Sequence, residues 1–285
     1  LPFFGHSYFN KSGKGVSKSE PEKKPFFKFC ELFARKFWKF FYVNMLYVFF
    51  CLPLVTIGPA TVAMTQVMRK FTLEQPIFIF EEFWNAFKKN FKQGLIIGLF
   101  DLFFIAVFIL SYNYYIFLTA VQPDVSNMVM SAVFIAAGVF IFMMHFYIYP
   151  QIAALTLSLG QIIKNSLFLT VLGIKRNIIT LLVSLSLIFL IFILGAFSLF
   201  LLPFVPFAWI SFISVFNSYP VIQKYIITPF YESRGEKNPE IPDYSVHSDN
   251  RHKKEEEDQK PLFEDLGGRE TPIKSKPKPK GKVIR

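Results

Sequence analysis

Apolar residues in this chain are gathered into long runs rather than alternated with polar ones, and the runs set the elements. Runs of twenty or more predominantly apolar residues predict membrane-crossing helices. Residues 94–118 form the clearest such run. The connection Val121-Gln122-Pro123-Asp124 has no Lys or Arg, and 125–149 is a second apolar run that returns. A third covers 178–201, turns through an uncharged Leu-Pro-Phe-Val-Pro-Phe loop, and comes back over 207–227. Residues 150–177 carry Lys164, Lys175 and Arg176, which assigns them to the cytoplasmic side, with a helix expected over 152–172.

The opening is more composite. Aromatics at 26, 29, 33, 37 and 40 recur at helical spacing, with Lys28, Arg35, Lys36 and Lys39 between them. That pattern predicts an interfacial helix feeding a first span over 40–57. Pro53 is expected to kink this span and Gly58-Pro59 to end it near the outer leaflet. The return segment 59–74 reaches only about 24 Å as a helix, short of a ~30 Å hydrocarbon core. It is therefore a short tilted span or a re-entrant piece covered by protein. Residues 77–92 place Phe80, Phe83, Trp84, Phe87 and Phe91 on one face and are expected to lie in the cytoplasmic interface.

The predicted fold is an all-α polytopic membrane bundle of about six membrane helices, including the N-terminal hairpin, with interfacial amphipathic helices and both termini cytoplasmic. It divides into a flexible basic arm over 1–25, a membrane helical domain over 26–231 and a disordered, charged cytoplasmic tail over 232–285. The tail contains a Pro-Leu-Phe-Glu-Asp-Leu stretch at 261–266 that reads as solvated tail before it reads as a docking peptide.

Composition sharpens this picture. The chain is 53% hydrophobic and 19% aromatic, with 38 Phe and only 18% charged residues. Its net charge of +11 is concentrated at the start: residues 1–39 hold nine Lys/Arg against three Asp/Glu. Most of this charge abuts apolar helices, where it orients spans and attracts anionic lipid, which argues against nucleic-acid binding. Cys30 and Cys51 are separated by roughly 30 Å if one helix carries both, beyond disulfide reach. Neither cysteine has metal-ligand spacing, and no cleavable signal peptide is visible.

Asp101 is the sharpest candidate for chemistry, because a carboxylate within a span is costly. Gly94, Gly98 and Asp101 share one helix face, and Gly94–Gly98 is a GxxxG that permits close helix contact. His145 lies at a comparable depth on the following antiparallel run, so an Asp101–His145 hydrogen bond is expected. It serves either as a polar clasp between two helices, the favoured reading where charges are this sparse, or as a proton-coupling pair. Asn44, Asn113 and Asn217 stand singly and read as helix-to-helix hydrogen bonds. No HExxH, P-loop, GxSxG or Cys/His metal set is present, so no enzyme, cofactor or metal is expected.

The segments 44–64, Asn-Met-Leu-Tyr through Ala-Met, and 81–98, Glu-Glu-Phe-Trp through Ile-Gly, together with the aromatic-basic approach, resemble the YesL-like family. The most specific piece is Leu52, Pro53, Thr56, Ile57, Gly58, Pro59, Ala60 and Thr61. The family comprises bacterial integral membrane proteins, mainly of Gram-positive species, classed as a domain of unknown function. The resemblance implies a plasma-membrane protein in an accessory role beside a carbohydrate ABC importer, with importer permease subunits as partners; it carries no catalytic residue. In this motif Thr56 and Thr61 are expected to satisfy backbone groups freed at the break. The competing reading is a stand-alone transporter that uses Asp101 and His145. An importer permease's own coupling segment is not matched, since Gly160 follows Ala153-Ala154 at the wrong spacing and the glutamate is missing.

Overall fold

Pro53 divides the start of the chain in two. The computed structural model describes residues 24–240 apart from 123, 196, 197 and 237. The basic arm and the charged tail therefore lie outside the described residues, except for their innermost positions. Helix α1 (Pro25–Cys51) is one continuous helix, so the aromatic-basic approach and the first apolar run are a single element. It stops at Cys51; Leu54–Thr56 form a 3₁₀ turn, and α2 (Ile57–Thr72) follows. Gly58-Pro59 thus opens the second helix instead of ending the first. A proline is tolerated there because the first-turn N–H groups have no intrahelical acceptor. The Thr56 hydroxyl donates to Phe50 O and, at 2.6 Å, to Pro53 O, while Thr61 donates to Ile57 O at 2.8 Å.

The remaining elements are α3 (Ile79–Lys89), α4 (Phe91–Val121), α5 (Val125–Ala154), α6 (Leu159–Leu172), α7 (Ile174–Ile193), α8 (Ser198–Leu201), α9 (Pro206–Ile222) and α10 (Thr228–Glu232), with a π-turn over Gln223–Ile227. No strand occurs among the described residues. The helix expected over 152–172 is instead split: α5 runs to Ala154, and Ser158 starts α6 with a reciprocal capping box to Gln161. Among the described residues, α4, α5 and α7 are long and apolar enough to cross a membrane. Helix α2 has 16 residues, α9 has 17, and α1 carries charges along its first half.

The described residues up to Asn238 pack as one unit centred on α2, which touches α1, α3, α4, α5 and α9. Eleven of its sixteen residues are buried, so this weakly apolar return segment is covered by protein. The aromatic stripe of α1 meets α9 rather than lipid headgroups. Phe29 and Phe40 stack around Phe212 with centroids 5.4 and 4.8 Å away, and Phe33 meets Trp209 edge-on at 5.0 Å. Pairs of this geometry contribute about 0.5–1.5 kcal/mol beyond simple burial. Helix α3 likewise docks through Phe83, Ala86 and Phe87, with Phe50 against the two rings. Lys36 rests 4.8 Å over the Phe71 ring, and partial burial, then repulsion from Lys39 and Arg35, lowers its pKa.

The closest approach is between α2 and α4. A Cβ on Gly58 would lie 2.0 Å from Gly94 O and 2.8 Å from Gly98 Cα; one on Gly94 would lie 2.8 Å from Pro59 Cα. The two glycine motifs are therefore halves of one backbone-to-backbone contact. Beyond Gly98, α4 leaves the packed body: nearly every apolar residue from Leu99 to Val121 is exposed, as are most on the outer half of α5.

Gly58→Ala is expected to destabilise the protein by about 1–3 kcal/mol, because two backbones must separate. Gly160→Ala, with nothing within 4 Å of its added Cβ, is expected to be neutral or slightly stabilising. Thermal unfolding of the detergent-purified variants, followed by tryptophan fluorescence, checks both.

Candidate functional site

Helices α4 and α5 run antiparallel, and the face that carries Gly94 and Gly98 brings Asp101 to the side of α5. His145 Nε2 lies 2.7 Å from Asp101 Oδ1. Tyr149, one turn further along α5, donates its hydroxyl to the other carboxylate oxygen, Oδ2. His145 Nδ1 sits 2.8 Å from Ile141 O. Both ring nitrogens thus face oxygen acceptors. With Nδ1–H directed at the carbonyl, Nε2 is the nitrogen that meets the carboxylate. The two side chains are 22–23% exposed, so solvent screens this pair less than a surface pair.

Beside His145 is a cavity of about 180 Å³, lined on its polar side by Thr61, Thr65, Tyr149, Ser211 and Ser214. Its size falls below the roughly 300–1,000 Å³ usual for small-molecule sites. Tyr47 closes the neighbourhood, with its hydroxyl 3.3 Å from Thr61 Oγ1. Among the described residues no group of three His, Cys, Asp or Glu is placed to hold a metal, and Cys30 and Cys51 are free thiols.

The residues singled out from the sequence fall into two neighbouring groups. Asp101 and His145 meet directly. Gly58, Pro59, Gly94 and Gly98 form the α2–α4 crossing one turn away, and Pro53, Thr56 and Thr61 shape the turn leading into it. Tyr149 was not foreseen; its signal was its position four residues after His145, on the same helical face. Arg69 is also unexpected. It is buried, with Nε 2.7 Å from the Tyr219 hydroxyl and NH1 3.0 Å from Gln66 Oε1.

The single asparagines divide. Asn44, fully buried, donates to Leu202 O at 2.8 Å and accepts from the Ala208 N–H at 2.9 Å. It caps α9, whose own N-cap position, Val205, supplies no side-chain acceptor. Asn217 donates to Thr180 Oγ1 across α7 and α9 at 2.9 Å. Asn113 makes no helix-to-helix bond in the structure; it is exposed and donates within its own helix to Ile109 O. Asn177, by contrast, accepts from Tyr147 and donates to Thr170 O, tying α5 to the α6–α7 joint.

The family model described as "Protein of unknown function, DUF624" matches residues 40–114, and YesL-like proteins belong to that family. The match spans the C-terminal half of α1, the turn, α2, α3 and most of α4. It includes the glycine crossing and Asp101 but not His145 or Tyr149. No curated protein and no solved structure matches the chain.

A double-mutant cycle on Asp101→Asn and His145→Gln is expected to give a coupling energy of at least about 0.5 kcal/mol, the lower bound for side chains in direct contact. Thermal stability of the four proteins in detergent measures it. Purely additive effects would mean that the bond contributes nothing to the fold.

Proposed function

Starting from a helical membrane protein with a DUF624 domain over residues 40–114, we propose a non-enzymatic accessory role in the plasma membrane, beside the permease subunits of a carbohydrate ABC importer. The observation that carries the non-catalytic part of this reading is how the buried polar groups are used. Asp101, His145 and Tyr149 are directed at one another, Asn44 at backbone groups, Asn177 at Tyr147 and a backbone carbonyl, and Arg69 at Tyr219 and Gln66. They hold helices together, and among the described residues no nucleophile–base set stands apart from them. The link to carbohydrate import comes from the family resemblance alone. The multi-pass arrangement, with both termini cytoplasmic, belongs to the same proposal.

One observation favours a second reading, a stand-alone transporter for a small solute. His145, hydrogen-bonded to Asp101, lines a cavity that also presents Thr61, Thr65, Ser211 and Ser214. Intramembrane carboxylate–histidine pairs commonly mark proton-coupled pathways.

Crosslinking of tagged protein in native membranes, followed by identification of what co-purifies, separates the two. Stoichiometric importer permease is the expected result. A homo-oligomer without permease would favour independent transport. In that case Asp101→Asn should abolish proton-coupled solute uptake in proteoliposomes while leaving the protein folded.

A further inference from the structure

We propose that the α1–α2 hairpin enters the bilayer from one side and turns back within it, while α4 and α5 go on to the opposite face. This rests on the membrane reading above and replaces a fully crossing hairpin with one whose exposed tip contacts the acyl chains of a single leaflet.

The argument starts from the glycine crossing. Gly58 touches Gly94 and Gly98 backbone to backbone, so the α1–α2 turn has the same depth as the start of α4. Lys92 is two residues before Gly94, only about 3 Å along a helix axis. It is exposed, as are Lys88 and Lys89. Lys88 lies over the Trp84 ring at 5.1 Å, the pairing of cation and indole that anchors helices at a membrane–water boundary. Three exposed lysines in the hydrocarbon centre would be costly. The lysines therefore mark an interface. A turn touching Gly94 cannot also be the ~30 Å away that a full crossing requires.

The lengths agree with this placement. From Leu99 to Val121, α4 rises roughly 34 Å at about 1.5 Å per residue, enough to cross the hydrocarbon core from the point where the hairpin stops. Its apolar residues there are exposed nearly throughout, as a helix in lipid requires. Helix α2, in contrast, is wrapped by five other helices and shows lipid little surface. The turn itself is apolar and exposed at Phe49, Leu52, Leu54 and Val55, so it is suited to acyl chains and not to water. Its freed backbone groups are satisfied internally, by Thr56 to Phe50 O and Pro53 O, as a turn at membrane depth must be.

The test uses the full chain with Cys30→Ser and Cys51→Ser, carrying in turn Val55→Cys, Lys89→Cys or Gln122→Cys. A membrane-impermeant maleimide is applied to sealed right-side-out and inverted vesicles, with labelling after denaturation confirming that each variant is present. The Gln122 variant is expected to react from one face only and the Lys89 variant from the other. The Val55 variant is expected to show no labelling from the Gln122 face, whether it reacts from the Lys89 face or is shielded by lipid. Labelling of Val55→Cys from the Gln122 face would overturn the proposal. Labelling of Lys89→Cys and Gln122→Cys from the same face would instead mean that α4 does not cross, and would remove the membrane-crossing premise itself.

Discussion

Two backbones meeting without side chains between them set the frame of this protein. Where Gly58 and Pro59 lie on Gly94 and Gly98, no atom can be added without moving a helix. Membrane helices gain little from hydrophobic association, since lipid is as apolar as their side chains, so close packing and hydrogen bonds must do the work. The glycine contact fixes how α4 departs from α2, and α4 carries Asp101 about one turn beyond it. The carboxylate meets His145 and Tyr149 because α5 runs back along α4 in that register. A change in the α2–α4 angle would therefore be felt first at the polar cluster.

Several of the buried hydrogen bonds join segments remote in sequence. Asn44 reaches α9, Arg69 reaches Tyr219, and Tyr147 reaches Asn177. Each replaces water that a lipid environment does not supply, and an unmatched partner would carry the full desolvation cost of about 1–3 kcal/mol. These bonds specify which helix lies beside which, a task that the exposed apolar surfaces of α4, α5 and α7 cannot perform.

The long apolar runs were legible in the sequence because composition alone marks them, and α4 and α5 follow them closely. The pairing of Asp101 with His145 was legible for a similar reason: two adjacent antiparallel helices leave little freedom in depth. The partners of aromatic stripes were not. The spacing of Phe29, Phe33 and Phe40 identifies a buried face but is silent on whether headgroups or Phe212 cover it. Gly58-Pro59 was misread because the same dipeptide signals a helix stop in one register and a helix start in another; Pro53, five residues earlier, had already ended α1. That the two glycine motifs would find each other is a tertiary fact, which no local pattern encodes.

The Asn44 cap bears on the order in which the chain can complete itself. The helix it caps begins 162 residues later, at Pro206, and has no side-chain acceptor of its own at that end. During synthesis α1 is therefore made with a buried-to-be amide still unpartnered, and it stays so until nearly all of the membrane domain has emerged. Such long-range closure is slow, and exposed partners in the interval favour misassembly. Docking of α9 onto α1 is thus a late event, the step at which an open set of helices becomes a closed one.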